Sequence, residues 1–288
     1  MLDHDAAYRT ACSAAARWGL EPPELLRHGM NAIYTCGDVV LRVGRASAPA
    51  IASHELVTVL IGNGVPTVPP VSGLAIDLDG FAVTAWERVE PVDQAVDWEA
   101  VGAAIAITHR LERADLPTSY PTPSPVVFPW WDFDAMFTSV DRQIDTASSA
   151  GLARAISDGQ GWQAAVPVAA VVCHGDVHPG NVMMSSRGPL LIDWDLMCVA
   201  NPAWDHAMLT TYADRWGGAP GVYDAFAAGY GASFVDDDLT RTLARLRNVA
   251  ATLMRVKAGL VDPLAKVEAE RRLRYWAGDS AAPSWRAQ

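Results

Sequence analysis

The hydrophobic pattern of the chain changes once, near residue 90, and this change restricts the fold more than any other feature. Before it, short apolar runs separated by Gly-Asp and Asp-Gly turns predict three strands, a helix over 47–63 and two further strands. An Ala-rich helix is predicted over 3–18. After it, apolar residues recur mostly at helical spacing, which predicts helices over 94–114 and near 132–146 among others. The sequence therefore predicts an α+β protein of two lobes, with a small β-rich lobe over 1–88 that includes one key helix and a larger, mostly helical lobe over 89–288.

The composition argues against disorder, a membrane span and export. Half of the 288 residues are hydrophobic and 19% are charged, so the chain can bury a full core. No apolar run is long enough and sufficiently free of charge to span a membrane. The first residues carry acids where a secretory signal carries bases. Because the four cysteines form no Cys-x-x-Cys pair, we expect a cytoplasmic protein with free thiols.

The charge of the chain is negative and unevenly spread. A net charge of −11 argues against nucleic acid as a partner, and we expect no membrane partner either, with the protein a monomer or a homodimer. Residues 241–276 nevertheless hold nine bases and only three acids. The lysines are confined to Lys257 and Lys266, so a cation needed earlier in the chain must be arginine or histidine.

The polar segment between residues 173 and 207 carries the clearest chemical signal. An apolar strand ends at a loop that holds Asp176 and, five positions later, Asn181. A predicted hairpin then brings Asp193 to the end of a neighbouring strand, beside that loop. An acid, an amide and a second acid form an oxygen-rich site suited to Mg²⁺, with Asp176 free to accept a proton from a substrate hydroxyl. Phosphoryl transfer requires this division of roles.

At these residues the sequence resembles the aminoglycoside phosphotransferase and choline kinase family, whose fold is related to that of protein kinases. The resemblance rests on a His-Gly-Asp-x-x-x-x-Asn motif, an Ile-Asp motif and a following Pro-x-x-Asp motif, matched at His174, Gly175, Asp176 and Asn181, at Ile192 and Asp193, and at Pro202 and Asp205. It implies a kinase-like fold in which Asp176 is the catalytic base. It further implies that Asn181 and Asp193 bind Mg²⁺ and that His174 and Asp205 support the loop.

The resemblance also implies a nucleotide site in the first lobe. The family needs a cation on the third strand, paired with an acid on the next helix, and Arg42 and Glu55 occupy these places. Arg42 departs from the commoner lysine, although its guanidinium also suits phosphate. The turn before it, which includes Asn31 and Ala32, is interpreted as the cover over the phosphates. The junction of the lobes, at Glu87 and Val89, is expected to bind the base of ATP or GTP through backbone groups.

Several other features allow alternative interpretations. His174, Asp176 and His178 form a His-x-Asp-x-His pattern that can hold zinc in hydrolases, although no further His or Cys cluster completes such a site. A nucleotide-binding pseudokinase that serves as a scaffold is the other alternative. His109 is interpreted as a core histidine, and Cys173 as a buried strand thiol rather than a nucleophile.

The acceptor is the part of the function that the sequence leaves open. Trp194 and Trp204 could form an aromatic wall for a nucleoside, macrolide or glycosidic acceptor. Asp195 and Asp214 could instead bind a polycationic aminoglycoside. We therefore expect a kinase that transfers the γ-phosphoryl group of ATP or GTP, with Mg²⁺, to a hydroxyl of an antibiotic-like or metabolite molecule.

Overall fold

Five antiparallel strands form the sheet of the first lobe in a computed structural model that describes residues 2–45 and 47–286. The strands lie in the order β1-β2-β3-β5-β4. Two helices accompany them, one before the sheet and one between its third and fourth strands. The elements are α1 (His4–Trp18), β1 (Glu24–His28), β2 (Asn31–Cys36), β3 (Val39–Gly44), α2 (Ala50–Gly62), β4 (Pro70–Leu78) and β5 (Phe81–Glu87). This order of strands and helices confirms the pattern expected from the sequence.

Helix α1 covers one face of the sheet and thereby fixes which side chains face the other lobe. Asp3 caps its first turn, and Gly19 ends it in the left-handed conformation with φ 66°. Its alanine face packs on buried sheet residues that include Leu41 and Val43. Because side chains alternate along a strand, Arg42 lies on the opposite face of the sheet.

Helix α2 packs on that opposite face, against β4 and β5. The ring of His54 lies 5.1 Å from the ring of Trp86 on β5. Burial lowers the pKa of His54 to about 4, so this histidine is neutral at physiological pH. The helix therefore rests on an uncharged aromatic contact.

Within the described ranges, the second lobe consists of nine α-helices, six short 3₁₀ helices and two small strand pairs. Strands β6 and β9 pair with each other, and β7 and β8 form a hairpin. None of the described helices is both long and apolar enough to cross a membrane. In chain order the elements are α3 (Trp98–Thr108), α4 (Phe133–Thr138), α5 (Thr146–Asp158), α6 (Trp162–Ala165), β6 (Val171–Cys173), β7 (Val182–Ser185), β8 (Gly188–Leu191), β9 (Cys198–Ala200), α7 (Ala203–Thr210), α8 (Tyr212–Trp216), α9 (Val222–Tyr230), α10 (Asp238–Ala258) and α11 (Pro263–Trp276).

Aspartate caps explain where the predicted helices of this lobe were wrong. The helix predicted over 94–114 begins only at Trp98, because the side chain of Asp97 accepts a hydrogen bond from the backbone of Ala100. The helix predicted near 132–146 is divided, and Asp145 caps the second part, α5. The two-lobed α+β architecture is confirmed, whereas the division at residue 88 remains a prediction.

The segment that follows α11 is anchored in the helical lobe by an aromatic and ionic cluster. Trp285 is only 1% exposed and lies 5.3 Å from the ring of Trp216. The Arg272 guanidinium lies over both rings, at 4.8 and 5.4 Å. Glu268, equally buried, accepts a hydrogen bond from Arg272 at 3.0 Å. The residues just after α11 are therefore part of the core.

We expect Trp285→Ala to lower the free energy of unfolding by about 3–5 kcal/mol. The substitution leaves a large cavity and removes the ring that packs against the buried pair of Arg272 and Glu268. Urea denaturation measures the difference. Leu264→Ala, at an exposed position on α11, is the matched control. Equal midpoints for the two variants would show that Trp285 is not part of the core.

Candidate active site

The loop that follows β6 is held from behind by the buried carboxylate of Asp205, at the start of α7. Its two oxygens accept hydrogen bonds from the backbone N–H groups of His174 and Gly175, each at 2.8 Å. Asp205 is 1% exposed, so these bonds form out of contact with water. Gly175 has φ +92°, and a side chain there would collide with the carbonyl of Leu196. The carboxylate of Asp205 thus satisfies the backbone donors of the loop, and the glycine permits the close turn that this requires.

Asp205 is also paired with His109, which follows α3. His109 Nε2 lies 3.0 Å from the carboxylate, and Nδ1 lies 2.9 Å from the hydroxyl of Tyr230 on α9. Burial opposes ionisation of Asp205, but the hydrogen bond and charge of His109 outweigh it and keep the pKa of the carboxyl below its ordinary value. His109 is therefore a satisfied buried histidine, as the sequence indicated. Cys173, close to this pair, is a buried thiol whose pKa burial raises.

His174 connects the loop to the strand hairpin beside it. Its Nδ1 accepts a hydrogen bond from the backbone N–H of Asp176 at 3.3 Å, and its Nε2 lies 3.1 Å from the carbonyl of Ile192. Burial lowers the pKa of His174, which suits a neutral ring that accepts at one nitrogen and donates at the other. Because both nitrogens are occupied, His174 does not fit the zinc site of the hydrolase alternative.

The hairpin of β7 and β8 brings together the three residues singled out in the sequence. The N–H of Ile192 donates to the carbonyl of Asn181 at 3.0 Å, which places Asp193 beside the loop. The amide nitrogen of Asn181 donates to the backbone carbonyl of Asp176 at 2.9 Å and to its carboxylate at 3.2 Å. Its amide oxygen thus remains an acceptor. This oxygen and the Asp193 carboxylate are oxygen ligands of the kind that Mg²⁺ prefers.

Asp193 has an unusual backbone conformation at this position. Its φ is +62°, in the left-handed region that residues with a side chain rarely adopt. The side chain is 37% exposed, in contrast to the buried Trp194 that follows it. The turn therefore directs a carboxylate towards solvent while anchoring the next side chain in the core.

Two basic side chains face the carboxylate of Asp176. Nε2 of His178 lies 3.3 Å from one oxygen, and Nη1 of Arg247, on α10, lies 3.3 Å from the other. Burial opposes ionisation of Asp176, but the hydrogen bond from His178 and the charges of His178 and Arg247 outweigh it, and the pKa lies well below its ordinary value. Asp176 is thus a carboxylate at neutral pH. The sequence did not indicate that Arg247 contacts Asp176, because no motif relates position 247 to position 176.

Arg42 pairs with two aspartates of the helical lobe rather than with Glu55. Its Nη2 contacts Asp195 closely and lies 3.5 Å from Asp193. In the amide orientation that satisfies both of its polar atoms, Asn31 also accepts a hydrogen bond from Arg42 at 2.7 Å. The cation therefore faces Asp193, across the cleft from its own strand.

The expected pair of Arg42 with Glu55 is thus corrected. Glu55 is an exposed residue of α2 whose carboxylate accepts a hydrogen bond from Ser119. The two acids compete for Arg42, and Asp195 is both less exposed than Glu55 and in direct contact with the guanidinium. Burial raises the pKa of Asp195 in spite of the charge of Arg42. An ion pair with Arg42 lowers the cost of keeping Asp195 ionised.

The residues expected to bind the nucleotide lie at the turn between β1 and β2 and at the end of β5. The turn between β1 and β2 is at Gly29 and Met30, whereas Asn31 and Ala32 belong to β2. Ala32 is fully buried under α1, so its side chain faces away from the cleft, and the role of this turn as a cover over the phosphates stays a prediction.

At the hinge, the N–H of Glu87 donates to the carbonyl of Pro69 at 2.9 Å. That donor is therefore engaged, and the side chain of Glu87 is exposed. The backbone of Val89 has no hydrogen-bond partner among the described residues, which leaves it available to a nucleotide base.

Three of the four residues expected to bind the acceptor have other partners in the structure. Trp194 and Trp204 are 6% and 1% exposed, and their indole nitrogens donate to Thr67 and to the carbonyl of Gly175, each at 3.2 Å. They belong to the core, so the aromatic wall was wrong for both. Asp195 binds Arg42, which corrects its assignment to a cationic acceptor. Asp214 lies exposed on α8.

We expect a double-mutant cycle of Arg42→Ala and Asp195→Ala, read by urea denaturation, to show a coupling of about 0.5–3 kcal/mol, because these side chains are in direct contact. The cycle of Arg42→Ala with Glu55→Ala is the matched comparison, and its coupling should be close to zero. The opposite ranking would restore the pairing expected from the sequence.

A second prediction concerns the support of the loop. Asp205→Asn removes a buried charge paired with His109 and leaves one oxygen for the two backbone donors, so stability should fall by about 3–5 kcal/mol. Denaturation curves compared with those of Asp214→Asn, at an exposed acid, provide the measurement. Equal stability of the two variants would remove Asp205 from its supporting role.

Comparison with known proteins places this geometry in a family. The model of the phosphotransferase enzyme family matches residues 31–248, which is more than half of the chain. A comparison with curated proteins finds no match.

Solved structures share the fold at low sequence identity. A spectinomycin phosphotransferase in complex with ADP and spectinomycin is 17% identical, with a TM-score of 0.66 and coverage of 89% of each chain. A choline/ethanolamine kinase family protein from Mesorhizobium loti is 14% identical, with a TM-score of 0.66 over 97% of this chain and 95% of that one. The GDP complex of an aminoglycoside 2′-phosphotransferase is 14% identical, with a TM-score of 0.69 over 96% and 99%. The fold is thus that of the small-molecule kinases.

The matched region spans both lobes and includes Arg42, Asp176, Asn181 and Asp193. The likeness of fold and the family match therefore agree with the resemblance seen in the sequence. This chain belongs to the phosphotransferase enzyme family.

Proposed function

We propose that the protein transfers the γ-phosphoryl group of ATP or GTP to a hydroxyl of a small antibiotic-like or metabolite molecule. The observation that carries the proposal is the carboxylate of Asp176, bound by Asn181 and placed beside Asp193. Arg42 faces this group from the sheet. A base, oxygen ligands for a cation and a fixed guanidinium around one cleft are the parts that phosphoryl transfer needs.

Asp176 would act as the base. Its carboxylate takes the proton as the acceptor O–H bond breaks, the acceptor oxygen bonds to the γ-phosphorus, and the bond from that phosphorus to the bridging oxygen breaks to release the nucleoside diphosphate. The hydrogen bond from Asn181 and the contact with Arg247 hold the carboxylate in one orientation. Orientation of this kind supplies a large part of the rate.

Asn181 and Asp193 would hold Mg²⁺ through oxygen atoms. When bound, the ion neutralises charge on the phosphates of the nucleotide. Arg42 would add a second positive charge on the sheet side. Arg42 already contacts Asp193, so the guanidinium and this carboxylate would lie side by side where the phosphates bind.

The comparisons support a nucleotide donor without selecting one. The structure of the spectinomycin phosphotransferase contains ADP, and that of the aminoglycoside 2′-phosphotransferase contains GDP. The free backbone of Val89 would bind either base by hydrogen bonds. A scaffold without activity has no requirement for Asp176, Asn181 and Asp193 to converge, so convergence favours the enzyme over the pseudokinase.

We expect Asp176→Asn to lower nucleotide turnover by roughly 10²–10⁴-fold, because the amide keeps the shape but cannot take the proton. The measurement is Mg²⁺-dependent consumption of ATP and of GTP over a set of hydroxylated antibiotics and metabolites, with mass spectrometry of the acceptor. Nucleotide affinity should change little. Asp5→Asn is the matched control, since this exposed acid lies on α1, which covers the face of the sheet opposite Arg42. Near-normal turnover of Asp176→Asn would refute the proposed mechanism.

A further inference from the structure

Strand β1 forms one edge of the five-stranded sheet and pairs with β2 on one side only. Four of its five residues are exposed. In the part of the chain that the structure describes, no strand pairs with its outer side. An unpaired strand edge is a template for pairing with another chain unless the protein protects it. The residues of β1 therefore determine whether this edge is protected or forms an interface.

The opposite edge of the sheet is protected against such pairing. Strand β4 begins at Pro70, and its register with β5 is irregular between Pro70 and Ala75. Gly73, within this segment, has φ +77°. Helix α2 also packs against β4. Proline, an irregular register and a covering helix all oppose the addition of a further strand.

A β-bulge in β1 places an acid and a base on the same face of the sheet. Glu24 and Arg27 lie opposite Thr35 and Ile33 of β2, and the register shifts by one residue between Leu25 and Arg27. Because positions 33 and 35 are two residues apart, their side chains share one face, and so do those of their partners. In a regular strand, residues three apart would lie on opposite faces. The extra residue of the bulge removes this difference.

The two leucines between these charges are exposed. Leu25 lies opposite Tyr34, on the face that α1 covers, and Leu26 is the residue added by the bulge. Their side chains are 46% and 60% exposed. Tyr8 of α1, whose ring lies 6.0 Å from that of Tyr34, is 43% exposed. Apolar side chains thus accompany the two charges along this edge.

The charges of β1 are not neutralised by their own chain. Glu24 and Arg27 are exposed, and neither has an ion-pair partner in residues 2–45 and 47–286. Arg42, on the same sheet, is by contrast paired with Asp195. Side chains of opposite charge stabilise two strands when they lie directly opposite each other. The order acid, leucine, leucine, base is complementary to itself when a second copy runs antiparallel to the first.

We propose that β1 pairs edge to edge with β1 of a second copy of this chain, antiparallel, about a two-fold axis that passes between Leu25 and Leu26. In this register Glu24 of each copy lies opposite Arg27 of the other, and the leucines meet at the centre. An axis perpendicular to the sheet preserves its faces, so the acid and the base meet on the same face. Two-fold symmetry forms every contact twice. A second copy therefore supplies the complementary pattern without any other partner.

The dissociation constant of this dimer is measured by analytical ultracentrifugation of the full chain. Because the pairing of so short a strand buries little surface, we expect reversible dimerisation in the micromolar range. Glu24→Arg or Arg27→Glu, each alone, places like charges opposite each other and should raise the dissociation constant by about tenfold or more. Glu270→Arg, which reverses the charge of an exposed glutamate on α11, is the matched control and should dimerise as the wild type does.

Mixing the two variants tests the register itself. A copy with Glu24→Arg carries two bases on β1, and a copy with Arg27→Glu carries two acids. In a mixed pair every base therefore lies opposite an acid. An equimolar mixture should dimerise about as tightly as the wild type, and so should the variant that carries both substitutions. Recovery of dimerisation on mixing also shows that each variant is folded.

Three results would overturn the inference. A wild type that remains monomeric throughout the micromolar range would leave this edge without a second copy. A dimer that neither charge reversal weakens would form through another surface. Failure of the equimolar mixture to dimerise, with urea midpoints of both variants equal to that of the wild type, would refute the proposed register.

Discussion

The rest of the candidate site depends on the hydrogen bonds between the Asp205 carboxylate and the backbone of the loop after β6. A loop at the end of a buried strand has backbone N–H groups that water cannot reach, and each needs an acceptor. Asp205 supplies both oxygens to this loop and is kept ionised by His109. Through His109 and Tyr230 the same carboxylate is connected to α3 and α9. The position of Asp176 is therefore determined by the packing of three helices.

Arginines from the two lobes face the cleft, and each is matched to an acid. Arg42 extends from the sheet to Asp193 and Asp195, whereas Arg247 extends from α10 to Asp176. The absence of lysine before position 257 makes arginine the cation on the sheet side. A guanidinium binds carboxylates and phosphates in the same fork geometry, so Arg42 can exchange an acid for a phosphate without changing its own position.

The local features were predictable from the sequence because they depend on neighbouring residues. Strand alternation, tight turns and the spacing of Asp176 and Asn181 indicated the sheet, the loop and its acids. The pairing of Arg42 with Asp195 joins residues 153 positions apart, and that of Arg247 with Asp176 joins residues 71 positions apart. Such contacts are set by how the lobes and helices pack, which hydrophobic periodicity does not encode.

The tryptophans illustrate the same limit. A count of aromatic residues near a motif does not distinguish a binding wall from a core, because both use the same side chains. The structure places Trp204 beneath Arg247 and Trp194 beside His174, in positions where they support the loop from within. Aromatic residues near the site thus contribute to the stability of its scaffold.

Transfer of an isotopically labelled phosphoryl group tests the central claim most directly. The protein would be incubated with Mg²⁺ and ATP or GTP carrying ¹⁸O at the γ-phosphoryl group, together with hydroxylated acceptors, and the products analysed by mass spectrometry. The account predicts an acceptor that gains one phosphoryl group with its label and keeps its own hydroxyl oxygen, in a reaction that the Asp176→Asn protein does not support. Labelled inorganic phosphate as the sole product across the acceptor set, or equal transfer by the Asp176→Asn protein, would contradict it.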